Sequence, residues 1–94
     1  MTNPDETLTQ KTKLDEAADM VAGLKEMIHY AKSNIERLSE YWLFMEDEVK
    51  RKEFAEKLDE LLDKQTALHD GMEATADSID SEINRIRNEG GDTL

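Results

Sequence analysis

Apolar side chains recur at intervals of seven through the first half of the chain. The series is Leu14, Val21, Ile28, Ile35, Trp42 and Val49. Together with Ala17, Leu24, Ala31, Leu38 and Met45 between them, these residues occupy the a and d positions of a heptad repeat. Only a long packed helix needs such a pattern, so it predicts a first helix over about 4–45.

The start of this helix has two possible signals. Asn3 is a capping residue, Pro4 suits the first helical position, and Glu6 falls where a capping box places its acid. Thr12 followed by Asp15 offers a second capping box. The segment between the two signals is therefore either helical or frayed.

The second half of the chain has a heptad frame of its own. Its predicted inward positions are Phe54, Leu58, Leu61, Gln65, Leu68, Met72, Thr75, Ile79, Glu82 and Ile86, with Leu62, His69, Ala76 and Ile83 beside them. The two frames differ by a slip of two residues, which a continuous coiled coil does not accommodate. We therefore predict a turn at about 46–50, a second helix over about 51–89 and a flexible tail over 90–94.

These features predict an all-α fold, with residues 1–94 forming a single domain: two long antiparallel helices in a coiled-coil hairpin. Folding back about Glu48 places Trp42 against Phe54 and Ala31 against Gln65. A turn centred half a heptad to either side of Glu48 also pairs the a positions of one helix with the d positions of the other. An alternative is a three-helix bundle in which the chain breaks near Gly71.

Each predicted helix has an apolar stripe wider than a two-stranded seam can cover. Met20, Met27 and Tyr41 flank the first seam, and burying such side chains stabilises by about 1.5–3 kcal/mol each. We expect two hairpins to dimerise into a four-helix bundle, or a helical protein partner to take the place of the second copy. The expected contact residues are Met20, Met27, Tyr41, Phe44 and Leu62.

Charge and composition limit the partners. The formal net charge is −11 and there is no cysteine. Phosphates would repel such a chain, so direct binding to nucleic acid or to anionic membranes is not expected, whereas a basic protein is an acceptable partner. No apolar run approaches the roughly 20 residues that span a bilayer. We expect a cytoplasmic protein, with leaderless secretion as the open alternative.

No arrangement of residues indicates catalysis. Glu26 and His29 have the E-x-x-H spacing of carboxylate-bridged metal bundles, but that motif is needed twice and occurs once. There is no glycine-rich phosphate loop. We therefore predict no catalytic residue, no cofactor and no metal, and a protein that is not an enzyme. The predicted register also brings His69 near Glu26, a potential pH-sensitive contact.

The leading interpretation is a small acidic interaction module that acts through helix packing, as an adaptor, chaperone or regulator. A competing interpretation is an inhibitor, of the kind that phages encode, that imitates nucleic acid and occupies a basic nucleic-acid-binding protein. Such imitation needs a stripe of acids, which could come from Asp59, Glu60, Asp63, Asp70, Glu73, Asp77 and Asp80. In the sequence, Lys57 and Lys64 interrupt that stripe.

One family resemblance rests on Leu38 and Trp42 near the tip of the predicted hairpin. In length and architecture the chain resembles the small WXG-type proteins of type VII secretion. That resemblance implies a helical hairpin protein of type VII secretion. The family's glycine two places after tryptophan is Phe44 here, and its tyrosine-based export signal after the second helix is missing.

Overall fold

The computed structural model describes residues 12–90. Within that range the chain forms two long helices in contact, α1 (Lys13–Phe44) and α2 (Lys52–Asn88), with a π-helical turn (Met45–Val49) between them and no strand. The predicted two-helix hairpin is thereby confirmed. The capping signal at Asn3, Pro4 and Glu6 and the tail after Gly90 lie outside the described residues. Between residues 12 and 90 there is no helix long and apolar enough to cross a membrane.

Of the two possible starts, the structure shows the one at Thr12. The Asp15 backbone N–H donates to the Thr12 hydroxyl at 3.1 Å, and the Thr12 backbone N–H donates to the Asp15 carboxylate at 3.2 Å. This reciprocal capping box satisfies two donors that the first helical turn would otherwise leave unpaired.

The turn contains no glycine, and the chain reverses by two other means. A π-helical turn widens the end of α1, and Lys50 then takes the left-handed conformation at φ 57° and ψ 43°. The Arg51 backbone N–H donates to the Met45 carbonyl at 3.2 Å and closes the loop. The left-handed region costs a residue with a Cβ roughly 1–2 kcal/mol, so Lys50 holds local strain.

α2 runs without a break through Gly71, so the three-helix alternative is wrong. Nothing lies within 4 Å of the position that a Cβ on Gly71 would occupy. The helix ends at Asn88, after Arg85 and Arg87 in its last turn, where cations suit the helix dipole. Gly90 follows with a positive φ of 85°, which glycine adopts without steric cost.

The interhelical seam of α1 is the predicted one, because every predicted a and d residue from Leu14 to Met45 is buried or half-buried. The seam of α2 keeps every second predicted position and replaces each of the others by the residue that follows it, which is a small rotation of the helix. It consists of Ala55, Leu58, Leu62, Gln65, His69, Met72, Ala76, Ile79, Ile83 and Ile86, all buried or half-buried. Phe54, Leu61, Leu68, Thr75 and Glu82, which we predicted to face inward, are exposed.

The two helices also pair in a different register from the one predicted for a turn centred on Glu48. The Gln65 side-chain amide contacts Asn34 at 3.5 Å, whereas the prediction places Ala31 opposite Gln65. This displacement of three residues is about half a heptad, within the range that the sequence left open. Because of the π-helical turn and the left-handed Lys50, the chain reverses later than at the predicted centre, Glu48.

The best-packed part of the seam lies at the open end of the hairpin, away from the turn. Leu14, Val21, Ala76 and Ile83 form a buried cluster there. Seven hydrophobic residues are buried in the described chain, and three of them are alanine. This core is small for two helices of such length, and it leaves large apolar side chains in solvent.

Candidate interaction face

Two stripes of exposed apolar side chains run along one side of the hairpin. α1 contributes Met20, Met27 and Tyr41, and α2 contributes Phe54, Leu61 and Leu68. Within each stripe the spacing is seven residues or a multiple of it, so its members lie on one helical face. We call these six residues the apolar face. Exposures of 67% for Met20, 50% for Tyr41 and 57% for Leu68 show that the hairpin leaves it open.

A groove between the helices joins the two stripes. Tyr41 of α1 and Leu61 and Leu68 of α2 line it over seam residues Leu38 and Gln65. Its volume is about 410 Å³, and its charged lining residues are Arg37 and Lys64. The apolar face of this acidic protein therefore has a local basic border.

The structure places four of the five contact residues predicted from sequence on one side of the hairpin. Met20, Met27 and Tyr41 belong to the apolar face, and Phe44, 54% exposed, lies on the same side of α1 three residues after Tyr41. Leu62 lies elsewhere. It is half-buried in the seam and lines a shallow hollow on the opposite side with half-buried Trp42.

Sequence reasoning missed the contribution of α2, because it assigned Phe54, Leu61 and Leu68 to the seam. A signal was present in the second half of the helix. There the predicted inward positions hold Thr75 and Glu82, while the positions one residue later hold Ala76 and Ile83. The apolar pair favours the rotated seam, and a continuous helix carries that rotation along its whole length.

The opposite side of the hairpin is acidic. Asp59 lines the hollow beside Trp42 and Leu62, and Glu73 and Asp77 line a second hollow with Lys25 of α1. Lys64, in contrast, lines the groove of the apolar face. Of the two lysines that interrupt the acids of α2 in the sequence, Lys64 therefore lies away from this side.

His69 lies beside two carboxylates of its own helix. Its Nδ1 lies 3.0 Å from Asp70 Oδ1 and 3.6 Å from Glu73 Oε1, so the predicted contact with Glu26 is replaced by two neighbours on the same helix. The three ligand atoms lie within 4.8 Å of one another, close enough to approach a single cation. Both carboxylates are exposed, and such acids are usual on a solvated helix face.

The E-x-x-H pair of α1 lies on the surface. Glu26 and His29 are both exposed, and the His29 ring packs edge-to-face on Tyr30 with ring centroids 5.8 Å apart. Neither side chain points into the seam, where a carboxylate-bridged metal centre of a helical bundle would be built.

Ion pairs fasten the open end of the hairpin. Arg87 Nη2 donates to Asp15 Oδ1 at 2.8 Å and links the last turn of α2 to the first turn of α1. The Thr12 backbone N–H bond and the Arg87 charge together hold the pKa of Asp15 below its ordinary value. Arg85 bonds to Glu82 and Glu89 along α2, which lowers the pKa of Glu82 and raises that of Arg85.

The described chain thus defines an acidic two-helix hairpin with one uncovered apolar face. No model of a known protein family matches the chain, and neither a curated protein nor a solved structure matches it. The resemblance to WXG-type proteins therefore still rests on Leu38, Trp42 and the hairpin architecture alone.

Proposed function

We propose that this protein is a small non-enzymatic interaction module that works by helix packing, and that its apolar face first associates with a second copy of the chain in a four-helix bundle. The observation that carries the proposal is the uncovered apolar face, whose six large side chains lie on one side of a hairpin with a small core. Scattered apolar residues on a surface are ordinary, but a group of large apolar side chains on one face is typical of an interaction site.

The energy available supports association. Each of the six side chains is already about half buried, so covering it completely contributes roughly 1 kcal/mol, half of the usual value for a large apolar side chain. A symmetric pair covers twelve such side chains and gains about 12 kcal/mol. The loss of freedom on association costs about 4–15 kcal/mol, which is of the same size as this gain, so we expect self-association of modest affinity.

Two exposed leucines on opposite sides of the hairpin provide a matched test. Leu68 belongs to the apolar face and is 57% exposed, whereas Leu43 is 52% exposed and lines the hollow with Leu62. Leu68→Glu places a charge in the proposed interface, and Leu43→Glu places the same charge outside it. Light scattering or sedimentation equilibrium should find a dimer for the wild type and for Leu43→Glu, and a monomer for Leu68→Glu.

A wild-type chain that stays monomeric across the micromolar range would contradict self-association, as would equal effects of the two substitutions. Salt offers an independent check. Because each copy has a formal charge of −11, the copies repel one another at long range. Association should therefore strengthen as added salt screens that repulsion.

The acidic side supports a second candidate function, imitation of nucleic acid. The supporting observation is that Lys64 borders the apolar groove, away from Asp59, Glu73 and Asp77. Competition between this protein and a DNA duplex for a basic DNA-binding protein tests the idea. Replacing Asp59, Asp63 and Asp77 by asparagine should abolish competition, whereas Leu68→Glu should leave it unchanged.

A further inference from the structure

Side-chain size is distributed unevenly along the apolar face. Toward the turn, Tyr41, Leu61 and Leu68 rise on both sides of the groove. Toward the open end, α2 instead presents the small side chains of Ala74, Thr75 and Ser78, which line a shallow cleft. On α2 the face therefore projects toward the turn and is recessed toward the open end, where α1 contributes the exposed side chains of Met20 and Met27.

The charged residues beside the apolar face also differ between the turn and the open end. The charged residues lining the groove near the turn are Arg37 and Lys64. The charged residue lining the cleft near the open end is Glu82, which also binds Arg85 of its own helix. The groove is thus basic and the cleft is acidic at its border.

A symmetric pair can bring two apolar faces together in two ways. If the turns lie over each other, Arg37 of each copy approaches Lys64 of the other, so four positive charges share one level. If each turn lies over the open end of the other copy, Leu68 of α2 meets the recessed cleft at Thr75 and Lys64 approaches Glu82.

We infer that the second copy lies with its turn over the open end of the first, so that α1 crosses α1 and α2 crosses α2, each pair antiparallel. This inference rests on the self-association proposed above. The twofold axis then passes close to Gly71 on α2, midway between Leu61 and Glu82. Met20 faces Tyr41 of the second copy across the axis, and Leu68 faces Thr75.

Gly71 fits this position. It is exposed, a Cβ there would meet nothing within 4 Å in the single hairpin, and a mid-helix glycine costs about 1 kcal/mol relative to alanine. Nothing inside the hairpin requires that cost. At a twofold axis the missing side chain allows two helix backbones to approach closely.

Single cysteines test the arrangement, since the chain has none of its own. Gly71→Cys lies at the proposed axis, so mild oxidation should link two copies and double the mass of 10.8 kDa in denaturing, non-reducing electrophoresis. A second test does not depend on Gly71. Mixing Met20→Cys chains with Tyr41→Cys chains, in the presence of a short bismaleimide, should give the heterodimeric cross-link, and Leu43→Cys chains should give none.

The opposite arrangement makes a different prediction. With turn over turn, mixed Tyr41→Cys and Leu61→Cys chains cross-link and the Met20 and Tyr41 mixture does not. That result, or a dimeric Gly71→Cys protein that stays unlinked together with an unlinked Met20 and Tyr41 mixture, overturns the inference. Failure of self-association itself is distinguishable, because light scattering then reports monomers for the wild type before any cysteine is introduced.

Discussion

Leu61 and Leu62 are adjacent and chemically identical, and the structure gives them different surroundings. Leu62 is half-buried in the seam beside Trp42, whereas Leu61 is 51% exposed on the apolar face. Replacing each leucine by alanine removes the same three carbon groups, so the difference in the free energy of unfolding reports the surroundings alone.

The expected magnitudes follow from burial. A buried methylene contributes about 0.8 kcal/mol, so complete burial of the three groups is worth about 2.4 kcal/mol before any cavity cost. Leu61→Ala should cost the isolated hairpin about 1 kcal/mol, because half of the side chain is already in solvent. Leu62→Ala should cost about 2–3 kcal/mol, since it also leaves a gap against α1.

Urea unfolding followed by circular dichroism measures both values, at protein concentrations where sedimentation shows a monomer. Raising the concentration should then add a second cost for Leu61→Ala, because its side chain also belongs to the proposed dimer interface. If Leu61→Ala destabilised the monomer more than Leu62→Ala, the seam of α2 would have the rotation that the sequence first indicated, and the apolar face would lose one of its stripes.

Three further predictions concern the ends and the turn. Lys50→Gly should stabilise the hairpin by up to about 1 kcal/mol in thermal or urea unfolding, since glycine relieves the left-handed strain, while Lys57→Gly inside α2 should destabilise it by about 1 kcal/mol. Thr12→Ala should cost about 1 kcal/mol through loss of the capping box, and Thr12→Ser should retain most of it. Because the folded-state pKa of Asp15 lies below its ordinary 3.8, its carboxylate stabilises the fold above that pH, and the contribution disappears as the pH falls below it. The stability difference between wild type and Asp15→Asn should therefore shrink as unfolding is measured from neutral pH to about pH 2, and a difference independent of pH would contradict this assignment.

Much of the hairpin could be predicted from local pattern. The heptad residues of α1 from Leu14 to Met45 identify its buried side correctly, because the apolar positions on that helix form a single stripe with polar neighbours on one flank. The Thr12 and Asp15 capping box and the stop at Gly90 are likewise local, since each depends on residues within one helical turn.

The turn was harder to place. Without a glycine or proline between Trp42 and Phe54, the sequence offered only the slip between two heptad frames. The π-helical turn and the left-handed Lys50 form where the chain reverses between the two packed helices. The helix propensities of the residues in this segment do not predict either feature. The effect of these two features on register, about three residues, is what moved Gln65 from Ala31 to Asn34.

Local pattern in the sequence is enough to predict two long helices that carry more apolar surface than a hairpin can bury. Those properties follow from periodicity and capping, which act over a few residues. Which leucines of α2 face α1 depends on the packing of the two helices, because Leu61 and Leu62 are equally apolar. Ala76 and Ile83 pack into the core near the open end, and that packing sets the rotation of the whole helix. That rotation exposes Leu61 and Leu68 beside Tyr41, and so it creates the apolar face.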